Sequence, residues 1–157
     1  MQPEPFDLAV IGAGIVGAMA AYMAGRMRAD WRIALLARSL VGGGATQYSA
    51  GLDLPYGHTA LKKRLAAESI RIYQRLKTEL PELPSHSLPF FGVVSRKRVA
   101  AVIAGFTQDS IRVASAEQVS QLRRRYPELT LAADQVLIAG GSCSYGCPKH
   151  MALALTH

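Results

Sequence analysis

A chain of 157 residues can bury one substantial core, and with 50% hydrophobic against 18% charged residues it is not a disordered polymer. The net charge of +7 comes from short, scattered clusters such as Lys62-Lys63-Arg64, Arg96-Lys97-Arg98 and Arg123-Arg124-Arg125. No aromatic-and-glycine RNA-binding signature or zinc-finger spacing accompanies them, so a solvated or partner-facing surface is expected rather than a nucleic-acid site.

The first element is the short apolar run Leu8-Ala9-Val10-Ile11. It lacks alternation, which predicts a parallel strand covered on both faces. Gly12-Ala13-Gly14-Ile15-Val16-Gly17 follows and fits G-x-G-x-x-G. Gly12 permits a tight turn, Gly14 removes a side chain where a pyrophosphate must approach, and Gly17 lets a helix pack closely on the strand. The free N–H groups at the start of that helix, with its dipole, form an anion site without any charged side chain. Residues 18–28 (AMAAYMAGRMR) continue the helix and 31–37 (WRIALLA) read as the second strand. The whole is a strand–helix–strand unit for a dinucleotide.

Residues 8–25 are also uncharged and of roughly membrane-spanning length. Their four glycines suit a strand and a helix better than a span, and the upstream flank MQPEPFD carries Glu4 and Asp7 but no Lys or Arg, unlike a signal peptide. A cytoplasmic protein without a membrane span is therefore expected, and its two cysteines, Cys143 and Cys147, are expected as free thiols.

After the second strand, residues 38–49 read as a loop of small residues that runs on past Pro55 and Gly57. A long helix is predicted over 60–80, with Leu61, Leu65, Ile72, Leu76 and Leu80 on one apolar face and Pro81 and Pro84 ending it. Residues 90–95 predict a strand, 99–103 (VAAVI) a weaker one, and 110–114 another. Ser115 can cap a helix running to about Arg125 while Gln118 reaches back to it. Residues 136–139 suggest a short strand, GGSCSYGCP a turn, and Pro148 the start of a last helix through His157.

The end of the second strand bears on the choice of dinucleotide. An acidic residue there would accept from ribose hydroxyls, but the chain has Ala37 followed by Arg38. Two readings stay open on this position alone: a ribose held by backbone and water, or Arg38 paired with a 2′-phosphate as in an NADP site.

The stretch DLAVIGAGIVGAMAAYMAG, the loop RSLVGGGATQYSAGL and the helix after it resemble the FAD-dependent D-amino-acid-oxidase-like (DAO) superfamily, in particular its glycine and sarcosine oxidase branch. The resemblance continues more weakly through YPEL and the GGSCSYGCP turn. It implies an α/β fold: a Rossmann-like FAD/NAD(P)-binding βαβ domain with the beginning of a mixed-sheet substrate domain. Residues 1–84 would be the FAD-binding region and 85–157 the partial substrate region. FAD would be the cofactor. Gly12, Gly14, Ile15, Val16 and Gly17 would form its phosphate turn, and Arg38 would lie over the adenine or ribose. Gly44, Ala45 and Thr46 would approach the phosphates, with Ala50, Gly51 and Leu52 at the flavin end. The bare run Gly42-Gly43-Gly44-Ala45 suits such an approach on physical grounds too.

The resemblance also implies oxidation of an amine or amino-acid substrate to an imine. Ala37 departs from the Glu typical of the family. The family's members are more than twice as long, so a truncated protein, or one completed by a partner chain, is expected. The groups that orient substrate belong mainly to the part beyond His157, and no catalytic residue can be named. A non-catalytic interaction protein and an NADP-binding protein using Arg38 are the alternatives. Cys143, Cys147, His150 and His157 do not have a usual zinc spacing, and no metal is expected. A Cys143–Cys147 disulfide would require the turn to close tightly. His86 reads as a surface turn residue, His58 as an exposed loop residue or one pointing into a cleft, and Tyr48 as either a packed aromatic or a neighbour of the flavin.

Overall fold

The computed structural model describes residues 5–156. Its elements, in order, are β1 (Leu8–Ile11), α1 (Ile15–Met27), β2 (Ile33–Leu36), a 3-10 helix (Gly44–Tyr48), β3 (Leu52–Asp53), α2 (Ala60–Glu79), β4 (His86–Ser95), α3 (Val99–Gly105), β5 (Arg112–Val113), α4 (Ala116–Arg125), β6 (Gln135–Tyr145) and α5 (Pro148–Ala154). The described residues divide into two compact units that interleave along the chain. One comprises residues up to Leu52, Leu76–His86 and the segment from Tyr145 on; the other holds Asp53–Arg75 and Ser87–Ser144.

The first unit is built on β1 and β2, paired in parallel from Leu8↔Ile33 to Ile11↔Leu36. Helix α1 crosses over one face of this pair. Val10 lies under Gly17 and Ile33 under Gly25, where glycines bring helix and strand backbones together. Ala18 is fully buried there, as is Ala152 of α5, which packs on α1 and on the 3-10 helix. Pro148 occupies the start of α5, as expected. At the far end of α1, Tyr22 donates a 2.9 Å hydrogen bond to Glu79, and Arg26 pairs with the same carboxylate at 3.0 Å.

The expectation that β1 is covered on both faces is not met. Its residues alternate between half-buried and exposed, and Ile11 is 88% exposed. Helix α1 lies on one face of the pair while Ile11 and Leu36 are exposed, so an apolar run suited to a two-sided environment is covered only in part.

In the second unit, Phe106, Ile111 and Ile138 form a buried cluster joined by Tyr56, Phe90, Val94, Val102 and Ile103. The Phe106 ring stands 5.1 Å from Tyr56 and 5.2 Å from Phe90, tilted to both. Strand β6 runs between β3 and β4, and β5 pairs with it antiparallel, Arg112 opposite Ala139. Helix α4 carries the expected capping box: Gln118 N–H donates to Ser115 Oγ and Ser115 N–H donates to Gln118 Oε1.

Three further expectations are corrected. Residues 99–103 are helix rather than strand, because Val99, Val102 and Ile103 have the i, i+3, i+4 spacing that sets all three against the Phe106 cluster. The glycine-rich GGSCSYGCP is not simply a turn, since β6 continues to Tyr145. Gly140 bends within it at φ +99°, where a β-carbon would strike the Ser110 carbonyl. The leucine stripe of α2 is buried at Leu76, whereas Leu61 and Leu65 are 64% and 58% exposed.

Candidate functional site

The site is made where β1 ends. Gly12 turns at φ +108° and donates its N–H to the Leu36 carbonyl at 2.7 Å, so the turn is tied to the end of β2. Gly17, one helical turn on, has no room for a side chain, because a β-carbon would run into the Gly12 carbonyl. The glycine spacing thus brings α1 down onto the turn and leaves its first amides facing outward.

The loop after β2 folds back onto the same place. Gly42 donates its N–H to the Ala13 carbonyl at 2.7 Å. Thr46, buried at 8% exposure, accepts from Ile15 N–H at 3.0 Å. A β-carbon on Gly14 would stand 2.9 Å from the Thr46 hydroxyl oxygen. At Gly12 and at Gly44 (φ +64°) a β-carbon would meet nothing within 4 Å, so bare backbone borders open space at both.

Between turn and loop lies an open cleft of about 500 Å³. Of the residues singled out in the sequence, Gly12, Gly14, Arg38 and Gly44 line it. Ile15 is joined to it through the bond to Thr46, and Gly17 sets the helix behind it. Val16, Ala45, Ala50, Gly51 and Leu52 are not in its lining. Val16 is 80% exposed, and Gly51 turns at φ +63°, its carbonyl accepting from Gly146 N–H at 3.1 Å. Ala37 at the ribose position and Gly43 of the bare run also line the cleft, as do Ser39 and Leu40, which the motifs had not marked as contacts. The signal for Ser39 and Leu40 was position alone: they come shortly after the second strand, where a βαβ unit closes over its ligand.

Arg38 is the one charged residue among those lining the cleft. Helix α1 has no acid in its first turn, so its N-terminal field is unopposed there. The surroundings therefore favour an anion approached by backbone.

Elsewhere the titratable groups offer little. In the second unit, burial pushes the Asp53 carboxyl above its ordinary value, and burial, then the Asp53 charge, does the same to Tyr73. Cys143 is buried, Cys147 is exposed and both are free thiols. Among the described residues no three His, Cys, Asp or Glu gather as metal ligands, and His157 lies outside those residues. No helix among them is long and apolar enough to cross a membrane.

A parallel strand pair, a glycine turn and an anion-favouring cleft at the strands' C-terminal ends define a dinucleotide-binding module. Comparison with known proteins narrows the class. The chain belongs to the DAO family of FAD-dependent oxidoreductases, whose match spans residues 7–155. Among solved structures it is similar to glycine oxidase from Bacillus cereus ATCC 14579, at TM-score 0.73 and 16% identity over 98% of this chain and 44% of that one. L-α-glycerophosphate oxidase from Mycoplasma pneumoniae, solved with FAD bound, gives 0.74 and 12% over 97% and 41%. Iminodiacetate oxidase from Chelativorans sp. BNC1 gives 0.67 and 23% over 94% and 42%. At these identities the likeness is one of fold, and the chain spans less than half the length of each of the three. No curated protein matches it.

The residues present fit the diphosphate of FAD, since bare backbone at Gly12 and Gly44 faces open space beside the N-terminus of α1. At the ribose end the fit is poorer, because Ala37 offers no acceptor.

Proposed function

We propose that this chain is the FAD-binding part of an oxidoreductase that converts the C–N bond of an amine or amino acid to an imine. The observation that carries the reading is the cleft where Gly12, Gly14 and Gly44 present backbone opposite the start of α1. Glycine oxidase and iminodiacetate oxidase among the structural neighbours support the substrate class. In this reading the turn of Gly12, Gly14 and Gly17 receives the diphosphate, with Val16 supplying an amide while Thr46 holds that of Ile15. Gly44, Ala45 and Thr46 close over it, Arg38 lies along the adenosine end, and Ala50, Gly51 and Leu52 stand toward the flavin. When bound, the flavin supplies the hydride acceptor; the imine then hydrolyses in water.

Residues 1–84 carry the cofactor in this proposal and 85–157 begin the substrate region. The protein works in the cytoplasm. A second reading, an NADP site, draws on Arg38, which borders the cleft and has no bonding partner among the described residues.

Titration of the purified protein separates the two. FAD should raise the melting temperature and its fluorescence should quench on binding, whereas NADPH should do neither. Stabilisation by NADPH alone would overturn the proposal.

A further inference from the structure

Helix α1 begins without a cap of its own. Its N-cap residue, Gly14, has no side chain, and its first-turn amides have no carbonyl partner within the helix. Ser, Thr, Asp or Asn ordinarily supplies the missing acceptor from the N-cap position itself. Here the acceptor is Thr46, 31 residues after Ile15 in the chain, which takes the Ile15 N–H at 3.0 Å.

We propose that Thr46 is a positioning residue that caps α1 from the 3-10 helix and so locks the glycine turn and the glycine loop together before any cofactor arrives. Two bonds flank Gly14 on its two sides. Gly42 N–H holds the Ala13 carbonyl at 2.7 Å and Thr46 holds the Ile15 amide. A buried hydroxyl that lost its partner would be left unsatisfied, so the lock resists opening. The hydroxyl uses only its acceptor side for Ile15 and keeps its own proton free for a second partner. Gly14 is bare for the lock's sake as well as a ligand's, since a β-carbon there would press on the Thr46 oxygen at 2.9 Å. The inference deepens the FAD reading, which it needs only at the last step: a pre-ordered loop spares the cofactor the cost of ordering it.

The test begins on the protein without FAD, by hydrogen exchange at the Ile15 amide. Thr46→Val, similar in shape but without an acceptor, should speed exchange roughly fivefold, the equivalent of one lost cap, and Thr46→Ser should restore protection. Gly14→Ala should speed it too by displacing the hydroxyl, and the Gly14→Ala/Thr46→Ala double variant should go no further than the faster single variant. Unchanged exchange in Thr46→Val would overturn the lock; if that variant does not fold, additive effects in the double variant would do so. Stopped-flow mixing with FAD then tests the last step. Association should slow about fivefold in a folded Thr46 variant that lacks the acceptor. Changed exchange with no FAD binding in any variant, parent included, would leave the lock standing and remove the cofactor reading instead.

Discussion

Gly17 and Gly25 sit on the same helix, and the same substitution should act on them with opposite sign. A methyl group at Gly17 would collide with the Gly12 carbonyl oxygen and approach the Gly12 carbonyl carbon to 3.0 Å. That backbone is fixed by the Gly12–Leu36 hydrogen bond, so relief requires lifting α1 off β1. A clash with fixed backbone lies at the upper end of the overpacking range, about 2–3 kcal/mol, and exceeds the ~1 kcal/mol alanine gains over glycine inside a helix, for a net loss of about 1–2 kcal/mol. At Gly25 the added carbon would rest 3.7 Å from Ile33 Cδ1, an ordinary contact, so the helix preference survives as a gain of about 0.5–1 kcal/mol. At ~2–4 °C per kcal/mol in a protein of this size, the two variants should melt roughly 3–12 °C apart on opposite sides of the parent. Circular dichroism melts, with denaturant midpoints at unchanged m-value, make the measurement. A Gly17→Ala protein as stable as the parent would refute the close strand–helix packing.

Ala37→Glu should restore an acceptor at the ribose end and tighten FAD binding by about 1.5–3 kcal/mol, on the order of 10- to 150-fold, read by flavin fluorescence. An unchanged affinity would mean that the ribose lies elsewhere. Gly14→Val should abolish FAD retention, seen as colourless purified protein; normal flavin content would remove Gly14 from the phosphate turn. Burial holds Asp53 protonated to higher pH in the folded than in the unfolded chain, where its pKa is about 3.9. The stability this confers is complete below about pH 4 and is lost as pH rises through the raised native value. Asp53→Asn should therefore gain in melting temperature over the parent as pH climbs through that range, and parallel pH profiles would discount the burial.

The strand–turn–helix at Leu8 to Gly17 was legible because its glycines answer to backbone geometry, which a local pattern encodes. The Ser115 capping box was legible for the same reason. The residues misread depend on what lies across from them. The run VAAVI carries strand-forming side chains, yet the Phe106 ring rewards the helical spacing within it. Gly140 signals a bend, but only its pairing context tells a kinked strand from a reversal. In the cleft, the glycines announced themselves, whereas Ser39 and Leu40 have no distinctive chemistry and are there because the chain passes that way.

The uncovered side of β1 has a practical corollary. Ile11 and Leu36 lie opposite one another in register, and both are mostly bare. Preparations should consequently stick to one another as they are concentrated. Because such adhesion is driven by water release, it should ease in the cold room or in mild urea and tighten in ammonium sulfate. Replacing Ile11 with lysine would place a charge on that surface and keep the molecules apart.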